Sequence, residues 1–293
     1  MKKSSDSLSR FLFEHLPLRG EIVRLDAVWQ HVTDRHDYPP VLRDMMGELC
    51  AAAVLLAATL KLEGSMVLQV HGTGAVKLLV VECSGDLELR ATAKWEGEIS
   101  HGTLPELVGD GRFVITLDPK DGGQAYQGIV PLEGDSIADI LQGYMTRSEQ
   151  LQTRLWLAAD GTSAGGMLLQ KLPEQGEMHD VDAWERATKL ADTLKPEELL
   201  GLPAGELVHR LYHEEDIRLF EPQQVAFRCT CSRDNVANML RMIGREEVDE
   251  ILAEREEIEV HCEFCNERYV FDRVDADAVF SEVPAMTASK TLH

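Results

Sequence analysis

Apolar residues recur every three or four positions after Pro39 and Pro40, which is the spacing of a helix with one broad buried face. Proline suits the first turn of a helix, so this helix is predicted to begin at the Pro39-Pro40 pair. The positions that carry the pattern are Leu42, Met45, Met46, Leu49, Ala53, Leu56, Ala57 and Leu60. Gly64 is the predicted end of the helix.

After Gly64 the pattern changes to short apolar runs separated by glycine turns, which predicts an antiparallel meander. The strands of the meander are predicted over residues 66–71, 75–82, 87–94, 113–117 and 126–131. A helix at 136–145 and strands at 152–158 and 165–172 follow. Helices packed against an antiparallel sheet predict an α+β fold for an N-terminal core domain over residues 1–176.

A segment with many charges and several prolines follows the predicted core domain. One predicted helix there places Val181, Trp184, Thr188, Ala191 and Leu194 on one face, and a second carries Leu207, Leu211 and Tyr212. Helices this short are marginal alone and need packing to persist. Residues 177–226 are therefore predicted to be a helical linker that docks on another part of the molecule.

Four cysteines near the C-terminus have the form C-x-C, thirty residues, C-x-x-C. C-x-x-C is a common zinc-chelating turn, and in an extended C-x-C segment both side chains point to the same side. Zinc takes four tetrahedral ligands, at about 2.3 Å for sulfur. We therefore predict that Cys229, Cys231, Cys262 and Cys265 bind one zinc ion in a small domain over residues 227–293.

The spacer between the two cysteine pairs has its own elements. Asp234 is predicted to cap a helix that ends at Gly244. Its apolar positions are Val236, Met239, Leu240 and Ile243. A second helix is predicted at 246–253, and strands at 258–261 and 269–271 flank the C-x-x-C as a hairpin. A module this small has little core, so zinc would hold it together.

The cysteine pattern supports two interpretations. From spacing alone, a purely structural zinc site is favoured, because most four-cysteine zinc sites are structural. The same thiolates can also be oxidised, and oxidation removes the ligands, so zinc leaves. Zinc binding in such modules is worth about 10–16 kcal/mol and is also folding energy, so its loss should unfold the module.

The remaining candidate residues give weaker patterns. Cys50 falls in the apolar helix and is predicted to be a core residue. Cys83 is predicted to sit in a turn, where a thiol could react. His209 and His213 are four apart on a predicted helix, but they lack the H-E-x-x-H order of a metalloprotease, so a solvent-facing or satisfied pair is favoured.

Charge and apolar run lengths restrict the partners and the compartment. The formal net charge is -22, and such a surface repels phosphate backbones, so no nucleic-acid partner is predicted. The longest apolar run, residues 49–60, is too short to cross a bilayer, and the apolar run at 11–13 is too short for a signal core. We therefore expect a cytoplasmic protein without membrane contact, where clustered cysteines indicate metal or redox chemistry.

Two other function classes compete with a redox switch. A zinc-ribbon protein could bind another protein or nucleic acid constitutively, and the acidic charge counts against nucleic acid. A zinc enzyme needs an open coordination position, which four cysteines close, and a thiol oxidoreductase would usually place C-x-x-C in a thioredoxin-like setting. The chain is therefore not predicted to be an enzyme.

Several segments together resemble one known family. The strongest matches are Phe227-Arg228-Cys229-Thr230-Cys231-Ser232-Arg233 and His261-Cys262-Glu263-Phe264-Cys265. Others are His36-Asp37-Tyr38-Pro39, Arg147-Ser148-Glu149-Gln150-Leu151, Gly165-Gly166-Met167-Leu168-Leu169-Gln170 and Arg210-Leu211-Tyr212-His213-Glu214-Glu215. Over nearly its whole length the chain resembles the heat-shock protein 33 family of redox-regulated holdase chaperones.

The resemblance implies an α+β core domain, a metastable linker and a C-terminal zinc domain that is inactive when reduced and zinc-bound. It also implies that oxidants pair Cys229 with Cys231 and Cys262 with Cys265, with release of zinc. The zinc domain then unfolds and the linker loses its support. Family members become homodimers, hold unfolding client proteins without ATP, and pass them after reduction to ATP-dependent chaperones.

Overall fold

The helices and strands of the chain fall into two units, and each unit has its own apolar core. The computed structural model describes residues 6–60, 62–148, 150–173 and 180–281, and the two units are Met1–Arg228 and Cys229–His293. The domain boundary predicted between residues 176 and 177, the first five residues, Glu149 and the residues after 281 lie outside the described residues.

The described part of the first unit contains seven helices and twelve strands. The helices are α1 (Ala27–Thr33), α2 (Pro40–Thr59), α3 (Leu104–Val108), α4 (Ile137–Ser148), α5 (Ala183–Ala191), α6 (Pro196–Gly201) and α7 (Ala204–Tyr212). The strands are β1 (Ser7–Phe13), β2 (Leu18–Leu25), β3 (Gly64–His71), β4 (Val76–Ser84), β5 (Glu88–Trp95), β6 (Arg112–Pro119), β7 (Tyr126–Val130), β8 (Thr153–Ala159), β9 (Ala164–Lys171), β10 (Ile217–Leu219), β11 (Gln223–Gln224) and β12 (Ala226–Phe227).

These strands form two six-stranded sheets. Sheet A has the order β10-β1-β2-β9-β8, with β11 also paired to β1, and its pairs are antiparallel. Sheet B has the order β12-β5-β4-β3-β6-β7, and its pairs are antiparallel except for the parallel pair of β12 with β5. The predicted α+β class with antiparallel sheets is confirmed.

The later strands pair differently from the continued meander that the sequence predicts. β3, β4 and β5 form the expected meander, but β6 pairs with the other edge of β3 and not with β5. The two strands predicted after the helix are confirmed as β8 and β9, which belong to sheet A. Residues 96–111 contain α3 and are long enough to cross from β5 to β3, while β12 takes the edge of β5. The single continued meander is therefore wrong, and β1, β2, α1 and α3 lie outside the predicted elements.

Helix α2 lies between the two sheets. It contacts β2, β8 and β9 of sheet A and β3, β4 and β5 of sheet B. Residues 49–58 are buried all around the helix, with none more than 5% exposed, which extends the broad buried face of the prediction. Gly166 in β9 permits the close approach, because a Cβ there would lie 2.9 Å from Leu55 Cδ1. The two apolar faces that meet α2 form the inner core.

The predicted helix end at Gly64 is wrong. Helix α2 ends at Thr59, and Gly64 is the first residue of β3, with a φ of 142°. The backbone of Asp118 in β6 lies against the position that a Cβ of Gly64 would take. Glycine is required there for its φ and for this close approach, and not for capping the helix.

The segment predicted as a linker forms three short helices, α5, α6 and α7, on the face of sheet A opposite α2. We call these helices the outer layer (residues 183–212). They share a second apolar cluster with sheet A, to which the sheet contributes Phe11, Phe13, Leu18, Ile22, Ala158, Met167 and Leu169. The predicted burial of Val181 is wrong: it precedes the first turn of α5 and is 86% exposed, and Ala183, Ala187 and Ala191 form the buried stripe.

The second unit contains α8 (Arg233–Ile243), α9 (Arg245–Glu254), β13 (Glu257–His261), β14 (Arg268–Asp272) and α10 (Arg273–Ser281). The predicted second helix and the β13–β14 hairpin are confirmed, and Gly244 ends α8 as predicted. The cap is not Asp234 but Ser232, whose hydroxyl accepts the Asn235 amide at 3.1 Å. The core of this unit is small: Ala237, Leu240, Val248, Leu252, Ile258, Phe271, Ala276 and Val279.

None of the helices within the described residues has both the length and the apolar character that crossing a membrane requires.

Candidate metal centre

The four predicted cysteines meet in the second unit, where their sulfur atoms all lie within 4.8 Å of one another. Cys229 Sγ is 3.6 Å from Cys262 Sγ, and Cys231 Sγ is 3.3 Å from Cys265 Sγ. Four sulfurs placed at about 2.3 Å from a tetrahedral ion are about 3.8 Å apart, so the observed cluster has the size of a one-ion site. The donor set therefore fits a single thiophilic cation.

Helix α8 fixes the C-x-C half of the site. Cys231 comes directly before Ser232, which caps α8, and Cys229 lies two residues before Cys231. The side-chain amide of Asn235, in the first turn, donates to the carbonyl oxygen of Thr230 at 3.0 Å. The residue between the two cysteines is thus tied to the helix, which holds both thiols at its N-terminal end.

A tight turn between β13 and β14 fixes the C-x-x-C half. The Cys262 amide donates to the Glu267 carbonyl at 2.9 Å, and the Asn266 amide donates to the Cys262 carbonyl at 2.8 Å. Asn266 has a φ of 54°, a left-handed conformation that asparagine tolerates better than most residues. The turn directs Cys262 and Cys265 to the same side, toward the other pair.

Hydrogen-bond donors point at three of the sulfurs. The Cys231 amide donates to Cys229 and the Glu267 amide donates to Cys265. The hydroxyl of Tyr269 in β14 donates to Cys231 Sγ at 3.2 Å. Donors of this kind stabilise negative sulfur, so the surroundings suit thiolate ligands.

The surroundings shift the pKa values of three of these cysteines in different directions. Burial raises the pKa values of Cys231 and Cys265. Burial also opposes ionisation of Cys229, but hydrogen bonds from the Cys231 amide and from the neighbouring thiols outweigh it and lower the Cys229 pKa to about 7. Cys229 is thus more readily ionised than Cys231 and Cys265, and a bound divalent cation would keep all four sulfurs ionised at neutral pH.

Arg233 joins the site to the rest of the second unit. Its guanidinium lies 4.2 Å from the centre of the Phe271 ring, donates to the Val270 carbonyl at 2.8 Å and pairs with Asp275 at 2.8 Å. Arg233 thereby connects the start of α8 with β14 and α10. Sequence reasoning did not assign a role to Arg233 or Tyr269, because both act through the folded hairpin and neither has a spacing signal.

His261 lies beside Cys262 in sequence but outside the sulfur cluster. Its Nε2 is 2.6 Å from the Glu259 carboxylate and its Nδ1 is 3.2 Å from the side-chain oxygen of Asn266. These two contacts occupy both ring nitrogens of His261, and the sulfur cluster consists of the four cysteines.

The weaker candidates belong to the first unit. Cys50 is fully buried in α2, as predicted. The prediction for Cys83 is wrong: it lies in β4, not in a turn, and burial raises its pKa to about 12, which suppresses thiol reactivity. His209 and His213 are exposed at the end of α7, as predicted, with their ring centroids 6.1 Å apart.

Comparison with known proteins gives one consistent family. The family model described as Hsp33 protein matches residues 6–272. The 33 kDa chaperonin of Methylobacillus flagellatus is 57% identical over 290 residues, covering 99% of each chain. That of Chromobacterium violaceum is 51% identical over 291 residues, covering 98% of each. The crystal structure of a 33 kDa chaperonin from Thermotoga maritima has a TM-score of 0.81 at 21% identity, covers 94% of this chain and 98% of its own, and supports the fold.

Proposed function

This chain belongs to the Hsp33 family of chaperones, and we propose that it is a redox-regulated holdase. When reduced, it holds one zinc ion on Cys229, Cys231, Cys262 and Cys265 and is inactive. Oxidation to two disulfides releases the zinc, and the protein then binds unfolding proteins and prevents their aggregation without ATP. It has no catalytic turnover.

The observation that carries this proposal is the meeting of four sulfurs within 4.8 Å in a unit with a small core. An oxidant such as peroxide converts one thiolate of a pair to a sulfenic acid and leaves as hydroxide. The neighbouring thiolate then attacks the sulfenic sulfur, forms the disulfide and displaces a second hydroxide, and both hydroxides take up protons from solvent. Each disulfide passes two electrons to one peroxide, so two peroxides oxidise the site. Four thiolates become two neutral disulfides, which no longer retain Zn²⁺.

The proposed pairing joins the cysteines within each motif, although the shortest sulfur distances run between motifs. Those distances, 3.6 Å from Cys229 to Cys262 and 3.3 Å from Cys231 to Cys265, describe the assembled cluster. Once the first ligands are oxidised and the ion leaves, only the one or two residues inside a motif still hold two sulfurs close. Short tethers give the higher effective concentration, which favours pairing within motifs.

Loss of zinc should unfold the second unit. Within residues 229–281, which the structure describes, its core consists of eight buried residues, whereas binding of a structural zinc contributes about 10–16 kcal/mol of folding energy. Arg233 donates to the Val270 carbonyl and Tyr269 donates to Cys231 Sγ, so both contacts depend on an intact hairpin and cysteine cluster. A domain of this size has little else to keep it folded.

The outer layer covers the apolar surface that we propose for client binding. The face of sheet A beneath it presents Phe11, Phe13, Ile22, Met167 and Leu169. Tyr212 of α7 packs against this face, with its ring centroid 5.0 Å from that of Phe13. If the outer layer leaves, both the sheet face and the buried faces of its own helices become accessible, and a patch of that kind binds unfolded chains.

The outer layer is held in a way that permits release. Arg186 of α5 pairs with Asp180 at 2.8 Å and Glu215 at 3.0 Å, and its side chain is 42% exposed. Asp192, at the end of α5, accepts hydrogen bonds from Arg154 and Trp156 of β8, each at 3.1 Å. Solvent screens exposed contacts of this kind, so they orient the helices and add little to the attachment that the shared apolar cluster provides.

The compartment and partners are also part of the proposal. A cytoplasmic location keeps the thiols reduced until oxidative stress. We expect the oxidised form to be a homodimer and to release its clients, after reduction, to ATP-dependent chaperones. The net charge of -22 keeps a form with exposed apolar surface soluble and disfavours nucleic acid as a partner.

The proposal is tested by following zinc and holding activity in one sample. The reduced protein is treated with peroxide at mildly raised temperature, zinc is detected with a chelating dye, and light scattering reports aggregation of an unfolding client. Release of zinc followed by reduced scattering is the expected result, and a Cys50→Ala, Cys83→Ala double variant should behave like the parent. Zinc that stays bound, or that leaves without a gain in holding, would show a purely structural site.

A further inference from the structure

The chain between the outer layer and the first cysteine is fastened to the first unit. We call residues 223–228 the strap. Val225 is 1% exposed and belongs to the inner core, although its neighbours lie at the surface. Its amide donates to the backbone carbonyl of Asp6 at 3.1 Å, and the Gln224 side chain donates to the same carbonyl at 2.6 Å.

The strap also extends sheet B. The Ala226 amide donates to the Leu87 carbonyl at 3.1 Å and the Arg228 amide donates to the Leu89 carbonyl at 3.0 Å. These bonds make β12 a parallel addition to β5 in a sheet whose other pairs are antiparallel. The strap therefore ends in a sheet pairing immediately before Cys229.

Side chains hold the end of the strap from the outside. The Phe227 ring is 5.7 Å from the ring of His31 in α1, centroid to centroid, and 5.7 Å from the Arg35 guanidinium. Arg228 pairs with Glu88 of β5 at 2.6 Å. The ring is half-buried and the ion pair is exposed, so this end of the strap can open more easily than the end at Val225.

Asp6 joins the strap to a second element. Its carboxylate is buried and accepts the amides of Asp26, Ala27 and Val28 at 2.7, 3.2 and 2.9 Å, at the start of α1. The backbone carbonyl of Asp6 meanwhile binds the strap. The strap thus rests on α1, β1 and β5, which do not belong to the outer layer.

In the chain, the strap lies between the outer layer and the metal centre, so it can control whether unfolding passes from one to the other. Cys229 follows the strap directly, and β10 and the outer layer precede it. Unfolding that begins at the metal centre reaches Arg228 first and can pass along the chain only when the strap comes away. A fastened strap confines the unfolding to the second unit.

We propose that the strap is a regulatory latch, which sets how readily loss of metal in the second unit is followed by release of the outer layer. This inference rests on the proposed function. Phe227 and Arg228, which are not metal ligands, then determine how easily the strap opens after the metal is lost. Weakening the strap should leave zinc release unchanged and shorten the delay before the outer layer leaves.

The test uses the full chain and two readouts that need no client. A chelating dye follows zinc, and acrylamide quenching of tryptophan fluorescence follows the outer layer, because Trp184 lies in α5 and Trp156 lies beneath it. With Phe227→Ala we expect zinc release at the parental rate and a delay shortened about fivefold, since a ring contact and a cation–π contact are lost. Ile129→Ala removes an apolar side chain that is 68% exposed in β7 and serves as the matched control.

A charge exchange provides an independent second test if Phe227→Ala folds poorly. Arg228→Glu places two carboxylates together and should shorten the delay, and Arg228→Glu combined with Glu88→Arg should restore it. An unchanged delay in these variants, or zinc release accelerated by the same factor as the quenching, would overturn the latch. Holding of a client is measured separately, so a failed chaperone assay with a shortened delay would refute the proposed function and not the latch.

Discussion

Sheet A carries an apolar layer on each face, and the two layers are built differently. The inner face meets α2, one helix of 20 residues, in which residues 49–58 have almost no exposed surface. The outer face meets α5, α6 and α7, which have 9, 6 and 9 residues. Helices of the second kind do not persist alone in water, so their fold depends on the sheet.

The difference shows how one sheet can stabilise the first unit through its inner layer and still allow its outer layer to be released. The inner layer is held by interdigitated aliphatic side chains between two sheets, and removing it would open the core. The outer layer contributes nine buried apolar side chains and several exposed ion pairs, and only one side of each helix is buried. Release of the outer layer therefore costs far less than unfolding the first unit.

Metal removal should produce the largest effect and should separate the two layers. Stripping zinc with a strong chelator under mild oxidation forfeits about 10–16 kcal/mol of binding energy, so α8, α9 and the β13–β14 hairpin should lose protection against hydrogen exchange. The outer layer should lose protection afterwards, while α2 keeps it. Hydrogen–deuterium exchange with mass spectrometry resolves these segments.

The contrast between the layers would be lost if α2 exchanged together with α5 and α7. Equal exchange would mean that the first unit unfolds as one cooperative body. A sample that is kept reduced with excess zinc is the matched control, and all three regions should stay protected in it.

A pair of equal truncations should give the next largest effect. Leu55→Ala in α2 and Leu207→Ala in α7 remove the same atoms from buried sites, each at most 1% exposed. Leu55→Ala should lower the free energy of unfolding of the first unit by about 3–5 kcal/mol. Leu207→Ala should cost about 2–4 kcal/mol, and the loss should appear as opening of the outer layer alone.

The two truncations are distinguished by where protection is lost. Denaturant unfolding followed by tryptophan fluorescence gives the global stability, and hydrogen exchange gives the local opening. Leu207→Ala should also hold a client partly before any oxidant is added. If it lowered the protection of α2 as much as Leu55→Ala does, the outer layer would not be a separable unit.

Local sequence patterns predicted the elements whose partners are near in the chain. The helical spacing after Pro40 and the glycine turns between β3, β4 and β5 identify those elements directly. The edge pairings could not be found this way, because Phe13 pairs with Ile217 and Ala226 pairs with Glu88 across long sequence separations. Strand β2 was not predicted, because Glu21 is polar although buried and interrupts the apolar pattern of the strand.

The metal centre was more accessible to sequence reasoning than its surroundings. The spacing of the four cysteines already predicts a four-sulfur cluster, because one or two intervening residues hold the members of each pair together. The donors from Tyr269 and the bridging role of Arg233 depend on how the hairpin lies against α8, which spacing does not encode. The strap was missed for the same reason.

The smallest predicted effect is a pH dependence of stability that differs between the inner and the outer layer. Burial, with a contribution from Asp44, raises the pKa of Glu48 in α2 to about 7 from the ordinary 4.5. The folded state therefore binds this proton more tightly than the unfolded state, so stability falls as pH rises from 4.5 through 7. In the outer layer, a hydrogen bond from Lys189 lowers the pKa of Glu185. The stability that the Glu185 carboxylate contributes is therefore lost only as the pH falls into the acidic range.

Raising the pH from 5 to 8 should therefore weaken the inner layer by about 2–3 kcal/mol and leave the outer layer unaffected. Glu48→Gln should abolish most of this dependence, because the amide carries no charge at either pH, while Glu197→Gln on the surface of α6 should retain it. Denaturant unfolding by tryptophan fluorescence reports the first unit alone, since all four tryptophans precede residue 229. A Glu48→Gln protein with the full parental dependence would mean that another group, such as the buried Glu21, carries the proton.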